Sequence, residues 1–337
     1  MRQVIGLILC LFIVSACDRK CGDDIDTSTI DLQVQVKRAD LASIDVKTDP
    51  DLNSWLLEHD KLNIFFTQPF RELKPEMRAA QVEAFRKSLL KTFTHPDILK
   101  LNQETQRQFS NFDSISNAFE TAFKRYKYYD PSFQAPEINT LISGFGSFDC
   151  NLSGDLLVVG LEYFLKDKST YYDYNIPNYV LAHYKPQNIL PKSIMLLQDR
   201  INAFDKMDRT LLSQMIYYGK ALYFSTQILP CTDEKTILEY TEAEMQEIDA
   251  AKQIIYAHFI SNKLFYTEGQ EVTARYINLR PSVAEIGEKC PGRIGRWLGY
   301  QIVKKYMQEH PEVSLMQLME NADAKKIFAQ AKYKPAE

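Results

Sequence analysis

Histidine is scarce in this chain, with five among 337 residues, at His59, His95, His183, His258 and His310. No two stand four apart. That excludes the HExxH helix, in which one face turns two imidazoles and a glutamate toward a zinc ion. The GxSxG nucleophile elbow, the GxxxxGK[ST] phosphate loop and the GxGxxG dinucleotide turn are also missing. Ser143-Gly144-Phe145-Gly146-Ser147 comes nearest to them. Its glycines follow a strand pattern and lead toward a hairpin, not a helix N-terminus that would cradle phosphate, so it reads as a tight bend. There is no excess of positive charge: 40 Lys and Arg face 44 Asp and Glu, net −4, which leaves nothing to draw a nucleic acid. No apolar run reaches the roughly 20 residues that span a bilayer.

The longest such run, Val4 to Val14, follows Arg2 and precedes Val14-Ser15-Ala16-Cys17. A positive start, a short apolar stretch and small residues ahead of a cysteine are the order of a lipoprotein signal peptide. Residues 1–16 are therefore expected to be removed and Cys17 to carry a diacylglycerol. The protein's first partner is then a membrane, reached through its lipid. A polar stretch, Asp18-Arg19-Lys20-Cys21-Gly22-Asp23-Asp24, reads as a tether over residues 17–27, followed by a single globular domain over 28–337. Hydrophobic content of 45% with 25% charged residues fits an ordinary folded domain. Of the other cysteines, Cys10 leaves with the signal. Cys21, Cys150, Cys231 and Cys290 lie at long, irregular spacings that match no metal knuckle or CxxC pair. Four cysteines allow three pairings, and these read as unpaired.

Ile30, Leu32, Val34 and Val36 alternate with polar residues, which predicts a strand with one buried face. Between Pro75 and Tyr126 the period changes to two helical stripes, the second closed by Asp130-Pro131. A hairpin is expected from Ile138–Phe148 and Leu156–Gly160, with turn chemistry at Asn151 to Asp155. Helical patterns follow at Pro177–Tyr184, Pro191–Phe204, Arg209–Leu229 and Glu242–Phe265, with Thr241 and Glu244 as a capping box for the last. Thr267 to Pro291 lacks periodicity and reads as a long loop of functional interest. Helices at Arg293–Glu309, Ser314–Glu320 and Asp323–Ala331 complete the chain. Few strands and many helices predict a helix-rich α/β (α+β) domain with a small sheet.

Candidate chemistry is thin. His183 and His258 lie in helical patterns among apolar neighbours and read as structural, and His310 sits at a helix C-terminus, where an imidazolium favours the dipole. Asp155 and Glu162 flank an apolar run and read as turn and strand-end residues, not as an acid–base pair. Tyr171, Tyr172 and Tyr174 offer a possible pocket wall. Gly292, Gly295 and Gly299 recur along one helix and Gly219 lies inside another. Glycine there costs about 1 kcal/mol relative to Ala, so a close packing neighbour is expected to offset it. Lys220, beside Gly219, and Arg293 are the candidate residues of a shared polar cleft.

The cysteine-terminated signal, Leu141 to Phe148, Leu157 to Leu165, Met215 to Tyr223 and Pro291 to Tyr306 together resemble the gliding-motility lipoprotein GldB family of Bacteroidetes. The Pro-Gly-Arg-Ile-Gly-Arg-Trp-Leu-Gly helix is the most specific part. The resemblance implies an envelope component of gliding or of associated machinery, with envelope protein partners, no cofactor, no metal and no catalytic residue. The layout is also similar to zincin-type metalloproteases. It departs from them where metal ligands would stand, since Pro177 to Phe204 offers only His183 and Tyr218 precedes Gly219 where those proteins carry a glutamate. A zincin-like fold without its metal is the expectation, with a hydrolase as the alternative.

Overall fold

The computed structural model describes Cys21 and residues 25–146, 148–165 and 176–335. The signal segment, Cys17, Ser147 and the tyrosines at 171, 172 and 174 lie outside them.

Four strands form one mixed sheet in the order β1-β2-β4-β3: β1 (Val36–Lys37), β2 (Glu137–Leu141), β3 (Cys150–Ser153) and β4 (Leu156–Gly160). β2 runs parallel to both β1 and β4, while β3 and β4 form an antiparallel hairpin. The expected pairing of Ile138–Phe148 with Leu156–Gly160 is thus corrected. The hairpin partner of β4 is Cys150–Ser153, part of which reads in sequence as turn chemistry. Gly154, at φ +55°, makes the reversal in a conformation glycine adopts without strain. β2 and β4 are buried along their whole length, as parallel strands covered on both faces must be. The strand expected from Ile30 shows the right alternation, with Leu32 buried and Asp31, Gln33 and Gln35 exposed, but joins the ladder only at its end. β2 starts at Glu137 and offers no earlier partner.

The strand period of two sends successive residues to opposite cores. Leu156 and Val158 join a smaller cluster with Trp55, Leu56, Leu62 and Phe93, whereas Leu157 and Val159 join the main one. The smaller side is covered by α1 (Ala39–Ala42), α2 (Asp49–Glu58), α3 (Asp60–Thr67) and α4 (Pro75–Thr94). The stretch between Pro75 and Tyr126 holds three helices where two stripes are visible in sequence: α4, α5 (Pro96–Gln108) and α6 (Asp113–Tyr129). Pro96 opens α5 at its first turn, and His95 caps it by accepting from the Asp97 N–H.

The larger side holds α7 (Asn178–Leu181), α8 (Ile189–Leu197), α9 (Leu211–Ile228), α10 (Glu234–Ile237), α11 (Glu242–Ser261), α12 (Gln270–Ile277), α13 (Ile294–Glu309), α14 (Leu315–Glu320) and α15 (Ala324–Ala331). The Thr241–Glu244 capping box of α11 is formed as expected. The loop expected over Thr267 to Pro291 contains α12. Its two turns bury only Tyr276 and Ile277, too few positions to show a period.

α9 is apolar nearly all round, as suits a helix enclosed by its neighbours. It crosses α13 where Gly219 faces Gly299. A methyl on Gly219 would overlap the Gly299 carbonyl, and one on Gly299 would overlap the Met215 carbonyl. The two backbones therefore touch with no side chain between them, which is the close approach the glycines imply. Gly299→Ala is expected to lower stability to urea by about 3 kcal/mol or more, by forcing the helices apart. Gly287→Ala, whose added methyl meets nothing within 4 Å, is expected to change it by less than about 0.5 kcal/mol. Equal effects would contradict the contact.

Candidate functional site

α8 lies against β3 and carries Lys192 in an otherwise apolar sequence, Ile189-Leu190-Pro191-Lys192-Ser193-Ile194-Met195-Leu196-Leu197. Its ammonium lies 3.0 Å from Asp149 Oδ2 and 2.8 Å from Glu239 Oε1. The second carboxylate oxygen of Glu239 accepts from Arg293 Nη1. Two chain reversals aim this pair inward. Glu239, at φ +56°, follows α10, where the Tyr240 N–H reaches the Lys235 carbonyl at 2.8 Å. Arg293, at φ +61°, starts α13, and its N–H donates to the Asn278 carbonyl at 3.1 Å. Such backbone conformations are unfavourable for non-glycine residues and persist where surrounding bonds fix them. Tyr240 ties the two turns together by donating to the Gly292 carbonyl at 3.0 Å.

Arg296, one turn into α13, donates to the Ile277 carbonyl at 2.7 Å and lies 4.0 Å from the centre of the Tyr218 ring. Lys192 faces the Tyr184 ring at 5.4 Å. Burial would raise the Glu239 carboxyl, but Lys192 and Arg293 outweigh it and hold the group well below the ordinary carboxylate range. Burial likewise opposes the charge on Lys192, and Glu239 and Asp149 reverse that, raising it. His183 is pushed down by burial and by Arg293, which keeps it neutral near pH 7. Two cations, Lys192 and Arg293, thus meet two carboxylates, with Arg296 beside them on the Tyr218 ring. A cavity of about 150 Å³, lined in part by Asp149, Cys150, Lys192, Glu239 and Arg296, has room for several waters or a small anion.

The neighbouring nucleophiles are committed elsewhere. Ser193 Oγ donates to the Ile189 carbonyl at 2.8 Å, and burial raises the Cys150 thiol, the opposite of what a reactive thiolate needs. Cys290 is pushed up to about 12 by burial. Among the described residues no three His, Cys, Asp or Glu side chains converge as a metal site would require. His258 pairs with the Tyr276 hydroxyl at 2.9 Å, and His310 caps the end of α13.

Lys220 and Arg293, expected to share a cleft, have no common hydrogen-bonding partner among the described residues. Lys220 donates to the carbonyls of Ala203, Met319 and Asn321 at 2.9, 3.1 and 2.7 Å. Three acceptors match the three donors of an ammonium. Burial lowers its pKa to about 8, so it is charged at neutral pH. It ties α9 to the last turn of α14, to the residue after it and to the loop before α9, and Arg293 alone joins the ion cluster.

Asp155 and Glu162 stay apart, on either side of the five-residue β4. Asp155 pairs with Lys61 at 2.7 Å on the surface. Glu162 has no exposed surface, and its Oε1 accepts from the Ser143 N–H at 2.7 Å, the Ser143 hydroxyl at 2.6 Å and the Phe145 N–H at 3.3 Å. The bend after β2 crosses the end of β4 to reach β3, and this carboxylate holds it there.

Sequence reasoning missed Asp149, Lys192, Glu239 and Arg296. A usable signal was present for two. Lys192 is the lone charge in α8, and Glu239 stands among Ile237, Leu238 and Tyr240; an ion in such surroundings is buried only when paired.

A family model described as "Gliding motility protein GldB" matches residues 20–335. No curated protein and no solved structure matches the chain.

Glu239→Gln leaves Lys192 and Arg293 facing a neutral amide, an expected loss of about 3 to 5 kcal/mol at pH 7. Because the folded-state pKa of Glu239 is depressed, its contribution is complete above the unfolded value of about 4.3 and fades as pH falls below it. Urea titrations at pH 7 and pH 3.5 are expected to show a smaller difference between wild type and variant at the lower pH. A constant difference would contradict the ion cluster.

Proposed function

We propose that this chain, which belongs to the gliding motility protein GldB family, is a lipid-anchored, non-enzymatic component of the gliding apparatus or of envelope machinery linked to it. The observation that carries the reading is that match over residues 20–335, joined to the signal order ending at Cys17. No helix among the described residues is long and apolar enough to cross a membrane, and the lipid on Cys17 supplies the attachment.

The chemistry of the ion cluster supports a binding role. Lys192 and Arg293 are balanced by Glu239 and Asp149, so the cluster braces the α8, α10 and α13 ends. A partner protein in the envelope meets a surface that this bracing keeps rigid.

Labelled palmitate is expected to enter wild type and not Cys17→Ala, and the variant is expected to leave the membrane fraction and fail to restore spreading in a gliding host lacking the wild-type copy. Equal labelling of the two would overturn the anchor. Purified mature protein is expected to show no chelator-sensitive peptidase activity. Stoichiometric zinc together with such activity would overturn the non-enzymatic role in favour of a hydrolase.

A further inference from the structure

Cys21 and Cys231 form a disulfide across 210 residues of sequence, while Cys150 and Cys290 are buried free thiols. The expectation that Cys21 and Cys231 stay unpaired is corrected. Spacing gave no hint, because the bond joins the N-terminal approach to the turn after α9, and only the folded domain brings the two together.

Cys21 stands four residues after Cys17. Whatever conformation the intervening residues adopt, four residues span at most about 14 Å. Without the disulfide, the first residues packed on the core are Ile30 and Leu32, and thirteen residues from Cys17 to Ile30 reach up to about 45 Å. The bond therefore replaces a long leash by a short one attached at a defined point of the domain. That point is one end of α9. The helix ends at Ile228, three residues before Cys231, and begins at Leu211, about 27 Å away along its axis. Met207, 83% exposed, precedes its other end.

We propose that the Cys21–Cys231 disulfide mounts the domain on the lipid surface with the C-terminal end of α9 and the adjoining face of α6 toward the headgroups, and the Met207 end turned away. The inference rests on the lipidated Cys17 of the proposed function. A cavity of about 240 Å³ against the disulfide, lined by apolar residues including Ala118, Leu190, Ile228, Leu229 and Pro230, belongs to the membrane-facing side. Thr121 of α6 lines the same cavity and is exposed.

The test uses the full lipidated chain in vesicles of phosphatidylethanolamine and phosphatidylglycerol containing a headgroup-nitroxide lipid. A fluorophore is placed by a genetically encoded residue at Thr121 or at Met207. In the disulfide-bonded protein, quenching at position 121 is expected to exceed that at 207 by about threefold, given a leash shorter than the helix between them. In Cys21→Ser/Cys231→Ser the two are expected to converge. Thiol reduction of the folded wild type provides the same comparison should the variant fold poorly. An unreduced digest is expected to contain the Cys21–Cys231 linked peptide. Free thiols at both positions, or equal quenching in the bonded, lipidated protein, would overturn the mount while leaving the anchor intact. Absence of the diacylglycerol mass on Cys17 would overturn both readings.

Discussion

The crossing of α9 and α13 at Gly219 and Gly299 is the constraint on which the rest of the domain depends. With no side chain at the crossing, the helices approach until backbone meets backbone, and everything one turn away is set in register. Lys220 follows Gly219 and reaches carbonyls in the loop before α9 and at the end of α14. Arg293 and Arg296 lie within two turns of Gly299 and reach Glu239 and the Tyr218 ring. A wider crossing would move α13 outward and draw Arg293 from a buried carboxylate that cannot follow. The cost of an uncompensated buried charge then falls on the helix packing, so the apolar and ionic parts of the core form one unit.

Much of this was legible before the structure. The helices from Glu242, Arg293 and Ser314, the alternation after Ile30 and the close packing of the glycine-rich helix all come from local patterns that tertiary structure left intact. The failures have a common physical origin. Cys150–Ser153 is a half-buried edge strand of mixed polarity, so a partner three to nine residues away was hidden behind the apolar Ile138–Phe148. α12 is too short for its period to register. The ion cluster and the Cys21–Cys231 bond join residues 43 to 210 positions apart and exist only once the chain has closed.

Family membership and these contacts point the same way. The buried ion pairs, the thiols raised by burial and Glu162, which holds a bend, all serve the packing of the domain. On the proposed reading, that packing fixes the shape offered to an envelope partner, and the Cys21–Cys231 disulfide sets its direction relative to the proposed lipid anchor.

The central claim, that helix crossing and ion cluster are one unit, is tested most directly by a double-mutant cycle of Gly219→Ala with Arg293→Gln on urea unfolding at pH 7. If the crossing sets the ion pair, the double variant is less destabilised than the sum of the singles, with a coupling of at least about 1 kcal/mol. Additivity to within about 0.5 kcal/mol would mean that the two act independently and would contradict the account.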